Sequence, residues 1–399
     1  MSYSRVAYGL IMGAVLVVAW HSRAPVSPSS DPWKLVLNRQ QTEEWKGWLQ
    51  IAFVLYHYMG ANEIYVYYPV RVYVGSYVWL TGFGNFSFFI TTEDFSLKRI
   101  LKMMIRINLL TVAVQIAIPE ISYMQNYICA MHSIFFLMVW LIMRVQYTRN
   151  EETGFMILKL SLLLIVLIVM NEVITKEQFY TLWSPLKFIL GHKLEDWRYR
   201  FQLDGYSTWY GMVCAFFMSK LKTCKIDKSR RNAVVVTMAC AALLLWGEIS
   251  FSLPRSDFLE IHRYTSLLPI TAYVILRNAT PLLREWYLPI LSWVGRHALE
   301  IYILQWQLFM DNKKGTAHLS WSPDYPLASL VINSMIVTFF AKLANEGTLA
   351  INQFLFPFKE TYGWTVKYRL VPIAVLLAIV TIFATGWSMI DLDTSTGVQ

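Results

Sequence analysis

Long runs of apolar residues recur along the whole chain and are separated by short polar segments. A helix needs about 20 apolar residues, with a range of roughly 17–25, to cross the hydrocarbon core of a bilayer. Backbone groups find no water in lipid, so runs of this length favour helices. The pattern predicts an all-α, polytopic integral membrane bundle with about 10–12 transmembrane helices. The predicted segments lie near 6–20, 45–61, 70–90, 103–118, 124–145, 154–174, 205–222, 232–250, 264–277, 287–310, 327–345 and 370–390.

The polar segments between these runs are too short to hold a further folded domain. The longest have about 30 residues or fewer, whereas an independent domain needs roughly 50. The first run is interpreted as a retained membrane anchor over 1–20, because Ser22-Arg23-Ala24 is a poor signal-cleavage site. The rest is predicted to form a Pro- and Ser-rich linker (21–44), a multi-helix membrane domain (45–390) and a C-terminal tail (391–399).

The composition supports a membrane protein and argues against a soluble enzyme. Of the 399 residues, 56% are hydrophobic and 15% are charged, against roughly 25% charged in an ordinary soluble domain. The chain has a net charge of +9. In an apolar chain, such an excess of Lys and Arg usually lies in short cytoplasmic loops beside the membrane and not on a nucleic-acid surface. We therefore expect membrane lipid and no nucleic acid as a partner. The four cysteines form no C-x-x-C pair, and no metal site is predicted.

Lys46 and His57 form the most informative pair of polar residues. They are eleven positions apart in an apolar run, so on a helix they lie within about 20° of one face and about 16 Å apart along the axis. A histidine inside the membrane, with a cation at the helix mouth, can hold an anionic acyl donor and accept or relay its acyl group. The alternative is a histidine bonded to a neighbouring helix and a lysine that reaches the membrane boundary. Spacing alone leaves both interpretations open.

Other polar residues within apolar runs indicate a polar bundle interior. Each ionisable group there costs at least about 2.5–3.5 kcal/mol to insert, which makes each one a functional candidate. Arg296 and Glu300, four residues apart, form either a structural ion pair or part of a substrate site. The basic row over 98–106 can bind the phosphates of a nucleotide-like donor or lipid headgroups. The remaining candidates are Arg71, Arg106, Asn108, His132, Lys159 and Glu248.

Seven blocks of sequence between residues 42 and 307 occur in the same order as in a known protein family. They include TEEWKGWLQIAFVLYHY (42–58), YICAMHSIFFLMVW (127–140), EDWRYRFQLDGY (195–206) and LSWVGRHALEIYILQWQ (291–307). These blocks resemble the membrane domain of plant reduced-wall-acetylation proteins, fungal capsule O-acetylation proteins and animal sialic acid O-acetyltransferase. The Lys46-to-His57 spacing also resembles the R/K-x10-H pattern of bacterial acyltransferase-3 membrane proteins.

The resemblance implies a multi-pass O-acetyltransferase of the Golgi membrane. Such a protein uses cytosolic acetyl-CoA as its donor and acetylates glycan hydroxyls in the lumen, on cell-wall or other polysaccharide. His57 is then the candidate for acyl relay or general base, Lys46 orients the donor, and His132 is a further candidate catalytic residue. The candidate substrate-binding residues are Arg71, Arg106 and Asn108 from the apolar runs, and Arg200, Asp204, Arg277, Glu300 and Gln305 from the resemblance.

The chain also departs from the family pattern. Asn85 and Gln307 occupy positions at which family members are expected to carry histidine. Animal and fungal relatives carry a lumenal serine-hydrolase-like domain where this chain has its linker, so the resemblance implies a separate lumenal acetyltransferase of that type as a partner. Two alternatives remain: a transporter of acetyl-CoA or another anion without chemistry, and a scaffold for a lumenal transferase.

Overall fold

The computed structural model describes residues 4–27, 37–118, 123–190, 194–220, 230–308 and 325–356, which are helical almost throughout. Within these ranges the β-structure is confined to two short antiparallel strands, β1 (Ala24–Pro25) and β2 (Trp286–Tyr287). The predicted all-α fold is therefore confirmed for the described part of the chain. The predicted segment 370–390 and the tail 391–399 lie outside the described residues.

The helices follow one another with short connections. In chain order they are α1 (Arg5–His21), α2 (Arg39–Met59), α3 (Ile64–Thr92), α4 (Leu97–Ala117), α5 (Tyr127–Arg144), α6 (Thr153–Ile168), α7 (Lys176–Trp183), α8 (Lys187–Leu190), α9 (Leu194–Lys220), α10 (Arg230–Ser252), α11 (Arg255–Thr265), α12 (Leu267–Arg277), α13 (Pro281–Glu285), α14 (Pro289–Arg296), α15 (Ala298–Leu308) and α16 (Pro326–Leu355). Single 3-10 turns cover Tyr123–Asn126, Tyr147–Arg149 and Ser184–Leu186, and a π-helical turn, Val169–Val173, ends α6.

Several helices expose apolar surface as a membrane protein must. Among the described residues, five helical segments are long and apolar enough to cross a membrane: Leu97–Ala117, Tyr123–Arg144, Thr153–Val173, Ala233–Ser252 and Pro326–Leu355. Their apolar windows are between 17% and 50% buried, and Leu244 on α10 is 76% exposed. Such a continuous apolar surface is stable in lipid but not in water. The chain is a multi-pass membrane protein, as predicted.

Helix α2 differs from these spans because its polar side chains are buried. Gln41, Glu43, Glu44 and Gln50 are each less than 9% exposed. Polar groups at membrane depth are tolerated where they face the bundle interior and find partners, so α2 belongs to the interior. The helix begins at Arg39 and therefore includes the last residues of the predicted linker 21–44.

The described residues divide into two compact units. The first unit comprises Met1–Phe95, Ile134–Leu167 and Gln202–Asn345, and the second comprises Ser96–Ser133, Ile168–Phe201 and Glu346–Gln399. Helices α2, α3, α10–α12, α14 and α15 belong to the first unit, and α4, α7 and α8 belong to the second.

Within the first unit, α2 and α14 pack with their backbones in contact. A Cβ atom at Gly47 would lie 1.8 Å from the carbonyl oxygen of Leu291, and a Cβ at Gly295 would lie 1.7 Å from the carbonyl oxygen of Glu43. Neither position can hold a side chain, and small residues are the usual means of bringing membrane helices this close. The contact fixes α14 directly against the helix that carries Lys46 and His57.

The single helix predicted over 287–310 is wrong, because the structure has two helices there. Helix α14 ends at Arg296, and His297 leaves the helical conformation with φ −104° and ψ 10° before α15 begins. Its ring Nδ1 lies 2.8 Å from the Trp293 carbonyl oxygen, so the side chain interacts with a carbonyl near the helix end. The close packing at Gly295 requires a residue of low helix propensity, which weakens the helix at this point.

In the second unit, α4 packs against the turn Tyr123–Asn126 and makes polar contacts with α5. The Asn108 amide donates hydrogen bonds to Ser133 Oγ at 2.9 Å and to the Met104 carbonyl at 3.0 Å. The Thr111 hydroxyl lies 3.2 Å from Cys129 Sγ. A separate aromatic cluster of this unit consists of Phe179, Trp183, Trp197 and Phe201.

Candidate functional site

His57 and Lys46 lie on one continuous helix, as the spacing requires. Helix α2 has no break between Arg39 and Met59, so the two side chains are about 16 Å apart along the axis and share a face. Both residues are half-buried. The helix ends at Gly60, whose φ of 60° is left-handed and whose N–H donates to the carbonyls of Tyr56 and His57. This C-cap holds the backbone of His57 in the last turn.

The His57 imidazole lies within a cluster of aromatic rings. The ring centroids of Tyr56, Trp306 and Phe53 lie 4.9, 5.1 and 6.4 Å from that of His57. The Gln305 side chain, 0% exposed, also lies against the imidazole. Because α15 packs on α2, the residues from both helices enclose the imidazole on several sides.

Several buried polar atoms around His57 lack hydrogen-bond partners. Within the described residues, no hydrogen bond of good geometry satisfies His57 Nδ1, the amide nitrogen of Gln305 or the indole nitrogen of Trp306, although the Gln305 side chain interacts with the imidazole. Such a group left unsatisfied costs about 1–3 kcal/mol, and more than about 90% of buried polar groups in proteins are satisfied. Their position beside one another makes this place a candidate for a site that receives a polar ligand.

Near Lys46, tyrosine and tryptophan side chains pack around the backbone of α2. The Tyr77 hydroxyl donates to the Lys46 carbonyl at 2.7 Å, and Trp48 Nε1 donates to the Tyr273 hydroxyl at 3.2 Å. Trp45 packs against Tyr273 with ring centroids 4.4 Å apart. Helices α2, α3 and α12 thereby form an aromatic wall beside the backbone of Lys46.

Arg277, a predicted substrate-binding residue, pairs with Glu44. Its Nε and Nη2 donate to the two Glu44 carboxylate oxygens at 3.1 and 3.0 Å, and Nη2 also donates to the Trp286 carbonyl. Glu44 in addition accepts the Leu288 N–H at 2.8 Å. The two residues join the start of α2 to the end of α12 and to the segment that leads into α14.

Glu300 and Arg296, predicted as a possible pair, have partners on different helices. Glu300 is 1% exposed and accepts a hydrogen bond from Asn345 at 3.1 Å. Arg296 lies 3.8 Å from the Glu43 carboxylate. The break at His297 separates the helices that carry them.

Arg71 and Asp204, both predicted, come together in a second buried cluster. Arg71 Nη2 donates to Asp204 Oδ2 at 3.0 Å, and the two side chains are 5% and 0% exposed. His262 Nε2 lies 3.8 Å from the other carboxylate oxygen and is also fully buried. His262 was not identifiable from the sequence, because it lies on α11, a polar helix just before the apolar run at 264–277, and its partner is far away in sequence.

Of the remaining predicted residues, Arg106, Asn108, His132 and Arg200 lie in the second unit, and Lys159 and Glu248 lie in the first. Asn108 contacts Ser133 and Tyr123, and the Arg200 guanidinium stacks over the Tyr127 ring at 4.0 Å. Arg106 and His132 are half-buried on α4 and α5. Gln305 and Trp306 adjoin His57 in the first unit. Trp306 was not predicted as a site residue, because tryptophan in a membrane helix is most simply interpreted as lying at the membrane interface. The described residues contain no group of three or more His, Cys, Asp or Glu that could hold a metal ion.

These features define a multi-pass membrane protein with an enclosed histidine and buried charge pairs between its helices. The family described as "10 TM Acyl Transferase domain found in Cas1p" matches residues 1–365, so the chain belongs to that family of membrane acyltransferases. The chain is also similar to N-acetylneuraminate (7)9-O-acetyltransferase of Danio rerio, with 28% identity over 367 residues. The alignment covers 86% of this chain and 46% of the relative, so the chain spans about half the length of that protein. No solved structure matches the chain significantly.

Proposed function

We propose that this protein transfers acetyl groups from acetyl-CoA to glycan hydroxyls, with His57 as the residue that accepts and relays the acetyl group. The membership of an acyltransferase family and the similarity to an O-acetyltransferase support the reaction class. The single observation that carries the role of His57 is its enclosure by Phe53, Tyr56, Trp306 and Gln305, with buried polar atoms left unsatisfied around it.

The transfer takes place in two balanced steps. First, one imidazole nitrogen of His57 forms a bond to the acetyl carbonyl carbon. The carbon–sulfur bond breaks, its electron pair stays on sulfur, and the proton of the other ring nitrogen passes to the sulfur to give free CoA. Second, the oxygen of a glycan hydroxyl bonds to the same carbon, the carbon–nitrogen bond breaks, and the hydroxyl proton restores the neutral imidazole.

Lys46 supplies a cation on the same face of α2, about 16 Å from His57 along the helix. A molecule of CoA carries its thioester at the end of a long arm and its phosphates at the other end. Lys46 would therefore hold the phosphates while the thioester reaches the enclosed imidazole. Phe53, seven residues after Lys46, lies on the same face, and the Tyr77 ring packs beside it with centroids 6.0 Å apart. These two rings would give the arm an apolar path between the two ends.

The proposal includes a cellular location, an acceptor and a partner for this protein. The protein acts in the Golgi membrane, uses cytosolic acetyl-CoA, and delivers acetyl groups to cell-wall or other polysaccharide in the lumen, with a separate lumenal serine-hydrolase-like acetyltransferase as its partner. The relative that is similar to this chain acetylates a sugar by its name, which favours a sugar hydroxyl as acceptor.

The direct test incubates the purified chain, in lipid nanodiscs, with acetyl-CoA labelled in the acetyl group. Free CoA and label bound to protein are measured for wild type, His57→Ala and the control His21→Ala. His21 lies on the exposed end of α1, where its Nδ1 lies 2.8 Å from the Val17 carbonyl oxygen. Both signals should disappear in His57→Ala and persist in His21→Ala. Full CoA release by His57→Ala, or neither signal in wild type despite demonstrated donor binding, would overturn the role of His57.

A transporter of acetyl-CoA is the second candidate, favoured by the buried ion pair of Arg71 and Asp204, since intramembrane charges also mark transport paths. Reconstituted vesicles separate the two functions. Release of CoA as acetyl-CoA is consumed identifies an acyltransferase. Intact acetyl-CoA inside the vesicles, with no loss of acetyl groups, identifies a transporter.

A further inference from the structure

Gln305 and Trp306 are neighbours near the end of α15, and both side chains lie beside His57. Gln305 is 0% exposed and lies against the imidazole. The Trp306 ring lies 5.1 Å from the imidazole ring. The Gln305 amide nitrogen and the Trp306 indole nitrogen are buried, and neither has a hydrogen-bond partner within the described residues.

Packed helices place these two donors beside His57. Helix α15 packs on α2 and follows α14, which contacts the α2 backbone through Gly47 and Gly295. Glu300, earlier on α15, accepts a hydrogen bond from Asn345. The donors are therefore placed by the backbone of packed helices, which is the arrangement that lets hydrogen-bond donors stabilise a developing charge without reorganising.

We propose that the Gln305 amide N–H and the Trp306 indole N–H form an oxyanion hole for the acyl donor. Their ligand is the carbonyl oxygen of a thioester at the moment when it becomes an alkoxide. This inference rests on the proposed function, because it requires that His57 attacks the thioester carbonyl. It gives Gln305 and Trp306 a catalytic role, which is to donate hydrogen bonds to the reacting oxygen.

The step balances as follows. A nitrogen of His57 adds to the carbonyl carbon, and the electron pair of the carbon–oxygen π bond moves to the oxygen. The resulting negative oxygen accepts hydrogen bonds from both donors. The pair then returns to re-form the carbonyl, the carbon–sulfur bond breaks, and the sulfur takes the imidazole proton. The two donors lose and gain no protons. Because hydrogen bonds to a negatively charged oxygen are stronger than those to a neutral carbonyl, their main effect is on the rate of the step and not on the binding of the donor molecule.

The test uses Trp306→Phe, which keeps the ring and removes the N–H, and Gln305→Leu, which keeps the size and removes the amide. The control is Trp246→Phe on α10, because the Trp246 indole nitrogen is also buried with no partner among the described residues but does not adjoin His57. Single-turnover CoA release should fall about 100- to 1,000-fold in Gln305→Leu and Trp306→Phe. It should stay near the wild-type rate in Trp246→Phe.

Binding measurements separate this role from a structural one. Acetyl-CoA should bind both site variants within about threefold of wild type, which also verifies that they fold. A trifluoromethyl ketone analogue of acetyl-CoA, which forms a stable tetrahedral alkoxide with a nucleophile, should bind wild type more tightly than the matched methyl ketone. Both site variants should lose this preference.

The outcomes distinguish failure of the proposed role of His57 from failure of the oxyanion hole. If His57→Ala retains CoA release, the proposed function fails and the oxyanion hole fails with it. If His57→Ala is inactive while Gln305→Leu and Trp306→Phe release CoA within threefold of Trp246→Phe, only the oxyanion hole is overturned. A preference for the trifluoromethyl ketone that survives in both site variants overturns it equally.

Discussion

Gly47 and Gly295 face each other so closely that a Cβ atom at Gly295 would lie 2.9 Å from the Gly47 nitrogen, and one at Gly47 would lie 3.1 Å from the Gly295 nitrogen. The two helices that carry them, α2 and α14, therefore approach at the limit of backbone contact. Any added atom must separate them. The separation would also move α15, which follows α14 and carries the residues beside His57.

Replacing Gly295 by Ala should destabilise the first unit by about 1–3 kcal/mol or more, because overpacking a tight contact forces backbone shifts. The matched control is Gly84→Ala on α3, where no atom lies within 4 Å of the added Cβ. Alanine in an open helical position stabilises by about 0.5–1 kcal/mol. Thermal unfolding in detergent measures both variants, and a Gly295→Ala protein as stable as Gly84→Ala would contradict the contact.

Asp204→Asn should destabilise the protein by about 3–5 kcal/mol, because it removes the negative charge that pairs with the buried Arg71 guanidinium. The double variant Arg71→Met/Asp204→Leu removes both charges and should recover most of this loss. Chemical unfolding compares the three proteins. Equal stability of wild type and Asp204→Asn would show that the pair is not buried as described.

An exposed ion pair serves as the control for that experiment. Arg149 and Glu152 lie 2.7 Å apart with side chains 49% and 53% exposed, and water screens such a pair strongly. Glu152→Gln is therefore expected to leave the midpoint of unfolding unchanged.

Arg277 and Glu44 should behave as a coupled structural pair. Arg277→Gln and Glu44→Gln are each expected to lower stability, and the double variant should lose less than the sum, with an interaction of about 0.5–3 kcal/mol. The affinity for acetyl-CoA should be unchanged, since the guanidinium is bonded to Glu44 and Trp286. A large loss of acetyl-CoA affinity in Arg277→Gln, with stability unchanged, would instead support the sequence-based prediction that Arg277 binds substrate.

Helix α10 should face lipid at Leu244, which is 76% exposed. A nitroxide label at position 244 is expected to be relaxed more by oxygen, which dissolves in lipid, than by a water-soluble nickel chelate. A label at position 151, in the polar connection between α5 and α6, should show the reverse. Stronger relaxation by nickel at position 244 would place α10 outside the membrane.

The helical membrane fold was predictable because it depends on local pattern. Runs of about 20 apolar residues leave the backbone no alternative to helix in lipid, and α1, α5, α10 and α16 lie where the apolar runs predict them. The break at His297 was not predictable from this pattern. It depends on the contact of Gly295 with α2, and the hydrophobic character of 287–310 continues across it.

The candidate site was predictable only in part. The helical repeat alone places Lys46 and His57 on one face of α2, but it gives no information about which helix covers that face. Trp306 could not be singled out among 16 tryptophans, because its special feature is an unsatisfied indole nitrogen beside His57. His262 likewise acquires a partner only when α11 meets Asp204 on α9.

The contacts that hold α2 have a consequence for how the protein is made. Glu44 and its partner Arg277 are 233 residues apart in the chain, and Gln41 likewise waits for the Arg284 carbonyl to which its amide donates. At ribosomal rates of about 5–20 residues per second, the partners of α2 emerge roughly 10–50 s after it. During that interval, Glu44 lacks the Arg277 guanidinium with which it pairs, and Gly47 lacks its contact with α14. The helix that carries His57 is therefore synthesised well before the helices that pack against it. Its buried polar groups must be kept out of the lipid until those helices have been inserted.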